Sequence, residues 1–284
     1  MSEFISAVAS HVFLRNALLA GAMASVACGV VGSLVVVRRV TYMAGGIAHC
    51  VLGGIGAAVY LNRVHDWAWL EPLHGALAAA LIAAFVIGFA ATRARERTDT
   101  VIGAVWAIGM SSGVLFLART PGYGGDLMSY LFGNILVVSA PELWLLAALD
   151  AVLVIVVVLL HDQLSAVCFD EEFARARGLH VDALFITLLV LTALTTVLLV
   201  LVAGIVMMLA LLTIPAAIAG RFADRLSRMM VGGAVLTALF TFIGLAASYS
   251  PELPAGATIV AITGAAYLIT IALTRPHGGL RISR

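Results

Sequence analysis

Long apolar runs broken by short polar ones fill the whole chain. A bilayer-spanning helix needs about 20 predominantly apolar residues. Runs of that kind occur near 16–37, 42–61, 73–92, 100–118, 143–160, 184–202, 203–219, 229–248 and 256–274. The pattern predicts an all-α, polytopic membrane bundle of eight or nine transmembrane helices, forming one domain over 1–284. The count turns on 184–202 and 203–219, between which only Val202, Ala203 and Gly204 offer a turn. The stretch 126–139, "DLMSYLFGNILVVS", is short and amphiphilic and reads as re-entrant or interfacial. Pro215 falls inside a run, and its missing N–H predicts a kink there.

Composition agrees with the pattern. Of 284 residues, 63% are hydrophobic and 11% charged, against about 25% charged in a soluble domain. The bilayer is therefore the expected solvent. A net charge of +1 argues against nucleic acid as a partner. Cys28, Cys50 and Cys168 show no metal-finger spacing and predict no disulfide framework. Arginine placement gives an orientation. Arg38, Arg39, Arg93, Arg95, Arg97, Arg175, Arg177, Arg221, Arg225, Arg228, Arg275, Arg281 and Arg284 fall on one side if nine spans are drawn. That side is expected to be the cytoplasm, with the C-terminus inside, the N-terminus outside and no cleavable signal peptide. No GxxxxGK[ST] loop occurs, so any ATP chemistry must belong to another subunit.

The stretch "RRVTYMAGGIAHCVLGGIG" carries the most distinctive chemistry. On a helix, Gly46, His49, Gly53, Gly56 and Tyr60 share one face. Small residues there let a neighbouring helix approach closely. An ionisable ring inside a membrane is a candidate functional group, and neutral imidazole binds zinc and similar metals. The alternative is a ring that hydrogen-bonds the next helix. Cys50, about 100° further round, is expected to face elsewhere. Asp150 interrupts an apolar run and should face the bundle interior, either bonding a neighbouring helix or lining a pathway. In "SAVCFDEEFARARGLHVD", Asp170 is a candidate N-cap, Glu171 and Glu172 suit the helix dipole, and Gly178 suits a C-terminal stop. A short surface helix is predicted over roughly 171–177.

Taken together, these stretches resemble the membrane permeases of bacterial ABC importers for zinc, manganese and iron. "DTVIGAVWAIGMSSGVLFL", "GYGGDLMSYLFGNILVVS", "LALLTIPAAIAGRFADRLSRMM" and "SYSPELPAGATIV" extend the likeness over almost the whole chain. The resemblance implies a homodimeric permease in the bacterial plasma membrane. It implies a separate ATP-binding subunit holding the ATP, an extracytoplasmic metal-binding protein, and a transported metal ion, with no cofactor bound by this chain. His49 would stand in the metal pathway. The 161–183 segment would dock the ATPase through Phe169, Asp170, Glu172, Ala174, Arg175 and Gly178. One position departs from the family pattern: members commonly carry aspartate where this chain has Gly45. Losing a hard oxygen donor favours zinc over manganese.

Two rival readings remain. Permeases for iron chelates or cobalamin are longer and lack the glycine-flanked histidine. "GMSSG", 109–113, fits the GxSxG spacing of a serine nucleophile at Ser111, as in an intramembrane protease. The histidines downstream of it, His161, His180 and His277, lie in polar segments.

Overall fold

A computed structural model describes residues 2–93, 97–122, 133, 135–251 and 253–274. It contains α1 (Ser2–Ser10), α2 (Val12–Arg38), α3 (Thr41–His65), α4 (Pro72–Arg93), α5 (Thr98–Arg119), α6 (Ala140–Leu159), α7 (His161–Phe169), α8 (Glu171–Ala176), α9 (Val181–Phe222), α10 (Leu226–Tyr249) and α11 (Ala255–Leu273). Among the described residues there is no strand. Among those residues, eight helices are long and apolar enough to cross a membrane: α2 to α6 and α9 to α11.

The two doubtful runs are the arms of one element. At 1.5 Å per residue, a straight α9 would reach about 63 Å, roughly twice the hydrocarbon thickness. It breaks at Gly204, whose φ of 75° and ψ of 167° no helical residue adopts. The first arm packs Ile186 and Leu189 on Gly88 near the Arg93 end of α4. The second packs Leu212 on Gly32 near the Arg38 end of α2, and Leu209 on Gly45 near the start of α3. Both arms therefore reach the same end of the bundle. The break falls within the 202–204 turn that the sequence offered between the two runs, whereas the dihedrals stay helical through Pro215. A proline can sit in a helix whose neighbours take up the freed carbonyl; glycine alone tolerates the φ that the bend needs.

Many of the arginines gather at that common end. Arg38, Arg39, Thr92, Arg175, Asp182 and Phe185 line one cleft there. Arg221 donates to Thr274 Oγ1 at 2.7 Å, joining the ends of α9 and α11, and Ser227 lies 3.3 Å from His161. Arg95, Arg275, Arg281, Arg284 and His277 lie outside the described residues.

At the other end, Asn16 donates to the Val138 carbonyl at 3.1 Å. Gly133, at φ 67°, presses on the backbone of Ala203 and Gly204 where no Cβ would fit. Residues 135–137 form one 3-10 turn, with Ile135 buried. The rest of the 126–134 stretch, Asp126 included, lies outside the described residues apart from Gly133. Nothing in the hydropathy pattern pointed to α1, whose Phe4 is buried edge-on against Phe242 and Tyr249. α2, α3 and α9 form the buried centre, while α5, α6 and α11 expose most of their apolar surface.

Candidate functional site

The histidine helix is held by backbone contact on two sides. A Cβ at Gly53 would stand 2.6 Å from the Gly109 carbonyl of α5, and one at Gly56 would stand 2.6 Å from that of Gly113. Gly46 faces Ile102 of α5 and Ile87 of α4. On another flank Gly54 and Gly75 of α4 exclude each other's Cβ. Glycine is thus required for these helices to approach so closely. The predicted small-residue face meets α5 of the same chain.

His49 projects into this contact. Its ring stacks on Trp106 of α5, with centroids 4.3 Å apart and planes 12° apart. Only 9% of the residue is exposed, and its buried Nδ1 has no hydrogen-bond partner among the described residues. A packing histidine would bond a carbonyl of the next helix; here the bond to the α5 backbone is made by its neighbour. Cys50 Sγ lies 3.2 Å from the Val105 carbonyl. Cys50 therefore faces α5 too, contrary to the helical-wheel expectation, because α5 lies close enough to straddle both positions. Among the described residues no group of three or more His, Cys, Asp or Glu side chains could cage a metal ion.

Asp150 lies in α6, which packs on α2. It is buried, and its Oδ1 has no hydrogen-bond partner among the described residues. Ser111 is exposed on the open face of α5, and among the described residues no histidine bonds it. Ser112 donates to the Gly109 carbonyl at 2.9 Å, as a packing serine does.

At the arginine-bearing end, α8 forms as its caps dictate. Asp170 accepts from the Phe173 N–H at 2.9 Å. The chain closes at Gly178, φ 79°, with the Leu179 N–H on the Ala174 carbonyl at 3.1 Å. Ala174 is fully buried, whereas Phe173 is exposed and carries Arg177 over its ring at 5.0 Å. Phe169 is exposed at the α7–α8 junction, and Glu172 points outward.

Glu171 is the hub that sequence reasoning missed. It accepts from Arg38 of α2 and, at 2.9 Å, from Arg175, which reaches Asp182 of α9 at 2.8 Å. Arg38 also lies over the Phe185 ring. The chain Arg38–Glu171–Arg175–Asp182 ties the short helix to two spanning helices. The Arg38 hydrogen bond, then that of Arg175, holds the Glu171 carboxyl below the usual glutamate value. Its partners, chiefly Glu171, raise Arg175 in turn.

Comparison with known proteins places these features. The model of the ABC 3 transport family matches residues 10–274. The chain belongs to the ABC 3 transport family. A relative from Chlamydia muridarum, described as a probable metal transport system membrane protein, is 39% identical over 92% of this chain and 89% of its own. The manganese transport system membrane protein MntC of Listeria monocytogenes is 29% identical over 99% and 97%. Among solved structures, PsaBC from Streptococcus pneumoniae in complex with Fab superposes with a TM-score of 0.84 at 28% identity, over 97% of this chain and 96% of that one.

In this ABC 3 chain the residues singled out by sequence form two groups. His49, Gly46, Gly53 and Gly56 meet on α5; Phe169, Asp170, Glu172, Ala174, Arg175 and Gly178 build the α7–α9 surface. Asp150 joins neither. Trp106 stood within a quoted motif, but nothing in its spacing marked it as the partner of His49. Glu171 read only as a first-turn acid because its partner Arg38 lies far away in sequence.

Proposed function

We propose that this chain is the membrane subunit of an ATP-driven importer that moves a divalent transition-metal ion into the cytoplasm, zinc in preference to manganese. Two copies form the permease, with the arginine-bearing end and the C-terminus in the cytoplasm. An ATP-binding subunit docks on α8, and an extracytoplasmic metal-binding protein delivers the ion at the opposite end.

The observation that carries this reading is the His49 ring, buried on a membrane-spanning helix with a nitrogen that has no partner among the described residues. A ligating histidine whose second nitrogen is hydrogen-bonded is oriented and made more basic. A ring held by stacking alone is a weaker ligand. Weakness suits transport, since a full tetrahedral cage would hold zinc and stop turnover. In this conformation Trp106 covers one face of the imidazole. Access then requires α5 and α3 to shift, which fits a site that opens alternately to the two sides. A nitrogen donor without the family's aspartate, Gly45 here, favours zinc. The MntC relative pulls toward manganese, so selectivity is the point to test.

The experiment reconstitutes permease, ATPase and binding protein in liposomes and measures ATP-dependent uptake of radioactive zinc and manganese in competition. Zinc should be taken up preferentially, and Gly45→Asp should move preference toward manganese. At Gly45 a Cβ meets only Leu209, at 3.7 Å, so the position accepts the start of a side chain. Uptake of neither metal, or of metal without ATP, contradicts the proposal.

A further inference from the structure

A cleft of about 340 Å³ opens at the arginine-bearing end, between the α2–α3 junction, the end of α4, α8 and the start of α9. Its charged walls are Arg38, Arg39, Arg175, Glu171 and Asp182. The two acids are already matched, Glu171 by Arg38 and Arg175, and Asp182 by Arg175. Arg39 is left over: its guanidinium has no partner among the described residues. Its backbone sits at φ 61°, a left-handed turn that bulky side chains rarely adopt.

The cleft continues into an apolar track. On α4, Ile82, Phe85, Val86 and Phe89 are exposed at helical spacing. Phe85, Phe89 and Thr92 follow at steps of four and three, so they share one face, and Thr92 lines the cleft. An exposed apolar stripe on a membrane-spanning helix therefore leads to an unmatched arginine at the helix end. A phosphate joined to hydrocarbon chains fits both halves. Guanidinium binds phosphate through two parallel hydrogen bonds, and basic pockets between helices on the cytoplasmic side take anionic headgroups.

We propose that this cleft binds the phosphate of an anionic phospholipid from the cytoplasmic leaflet, with Arg39 as its main ligand and the α4 stripe as its acyl track. The choice of leaflet rests on the orientation proposed above; the site itself depends on neither that orientation nor the metal carried. A headgroup there abuts the Arg38–Glu171–Arg175 chain and thus the docking helix. Free phosphate shares the chemistry but has no use for the stripe.

Native mass spectrometry of the purified full-length protein separates the two sources. Wild type should retain phosphatidylglycerol over phosphatidylcholine, and glycerol phosphate should not displace it. Arg39→Gln should weaken phosphatidylglycerol retention about fivefold, the loss of one surface guanidinium, and leave phosphatidylcholine unchanged. Arg39→Lys should recover most of the retention, which a folding defect would not explain. Phe89→Ser should weaken phosphatidylglycerol retention without touching the cleft's charge. Equal retention in Arg39→Gln or Phe89→Ser overturns the proposal, as does displacement by glycerol phosphate at the lipid's own concentration, the mark of a soluble-anion site. Metal uptake plays no part in this readout, so its outcome is separate from that of the transport reading.

Discussion

Between α3 and α5, backbone lies on backbone, with Gly53 and Gly56 against Gly109 and Gly113, and the ionisable ring of His49 is held only by a stacked indole. The α8 surface is half-exposed, yet Arg38, Glu171, Arg175 and Asp182 pair in one continuous chain. The first region fixes position through shape and leaves its polar atom free. The second fixes position through charge and leaves two aromatic side chains, Phe169 and Phe173, exposed. Under the proposed function, each region spares the kind of group that its visitor would meet: a nitrogen for a cation, aromatic rings for a protein surface.

The comparison breaks most sharply at the glycines. Gly53→Val should abolish folded protein, because its Cβ would lie 2.6 Å from a backbone carbonyl that cannot move aside. Overpacking costs about 1–3 kcal/mol or more, and recovery of monodisperse protein after detergent extraction measures it. Near-normal yield would mean that the α3–α5 contact is not so tight.

A smaller effect is expected at the charged chain. Arg38→Gln and Glu171→Gln should each change thermal stability by no more than about 1 kcal/mol, as for half-exposed pairs. Each should nevertheless lower metal uptake per ATP hydrolysed, because α8, the proposed docking helix, loses its tie to α2. A double-mutant cycle should show the two effects to be non-additive. The pair's pH dependence has a fixed sign. Glu171 is lowered in the folded protein, so its contribution is full above the ordinary value of 4.5 and is lost as pH falls through the lower folded value. Melting temperature should therefore gain no Glu171-dependent slope between pH 6 and 8, a window chosen well above the glutamate range.

The smallest effect is assigned to Asp150. Asp150→Asn keeps its shape and removes a carboxyl whose Oδ1 bonds nothing among the described residues. Uptake should stay within about twofold, since the cost of deleting a hydrogen bond comes from the partner left unsatisfied, and Oδ1 has none among the described residues. A loss on the scale of removing a metal ligand would move Asp150 into the pathway.

What sequence could supply follows from the same contrast. Hydropathy gave the spanning elements because bilayer thickness fixes their length, and helical spacing put Gly46, His49, Gly53 and Gly56 on one face. The caps of α8 were legible because Asp170 and Gly178 act on their own turns. Pairings across long separations were not: Arg38 with Glu171, His49 with Trp106, and Cys50 with Val105 depend on which helices become neighbours. The Gly204 break was read as a turn between two runs, but its pairing with Gly133 carries no local signal. α1 escaped notice because nine residues are too few to register as a span.

The most direct test of the account is metal uptake by His49→Ala in the reconstituted permease–ATPase–binding-protein complex. Removing a pathway ligand should lower ATP-driven zinc uptake about tenfold or more, given that supporting groups around metal ligands alone are worth that much. Expression, assembly and basal ATP hydrolysis should stay near wild type. Unchanged zinc uptake by a well-folded His49→Ala complex would show that the cation does not pass this ring, and the pathway proposed here would be wrong.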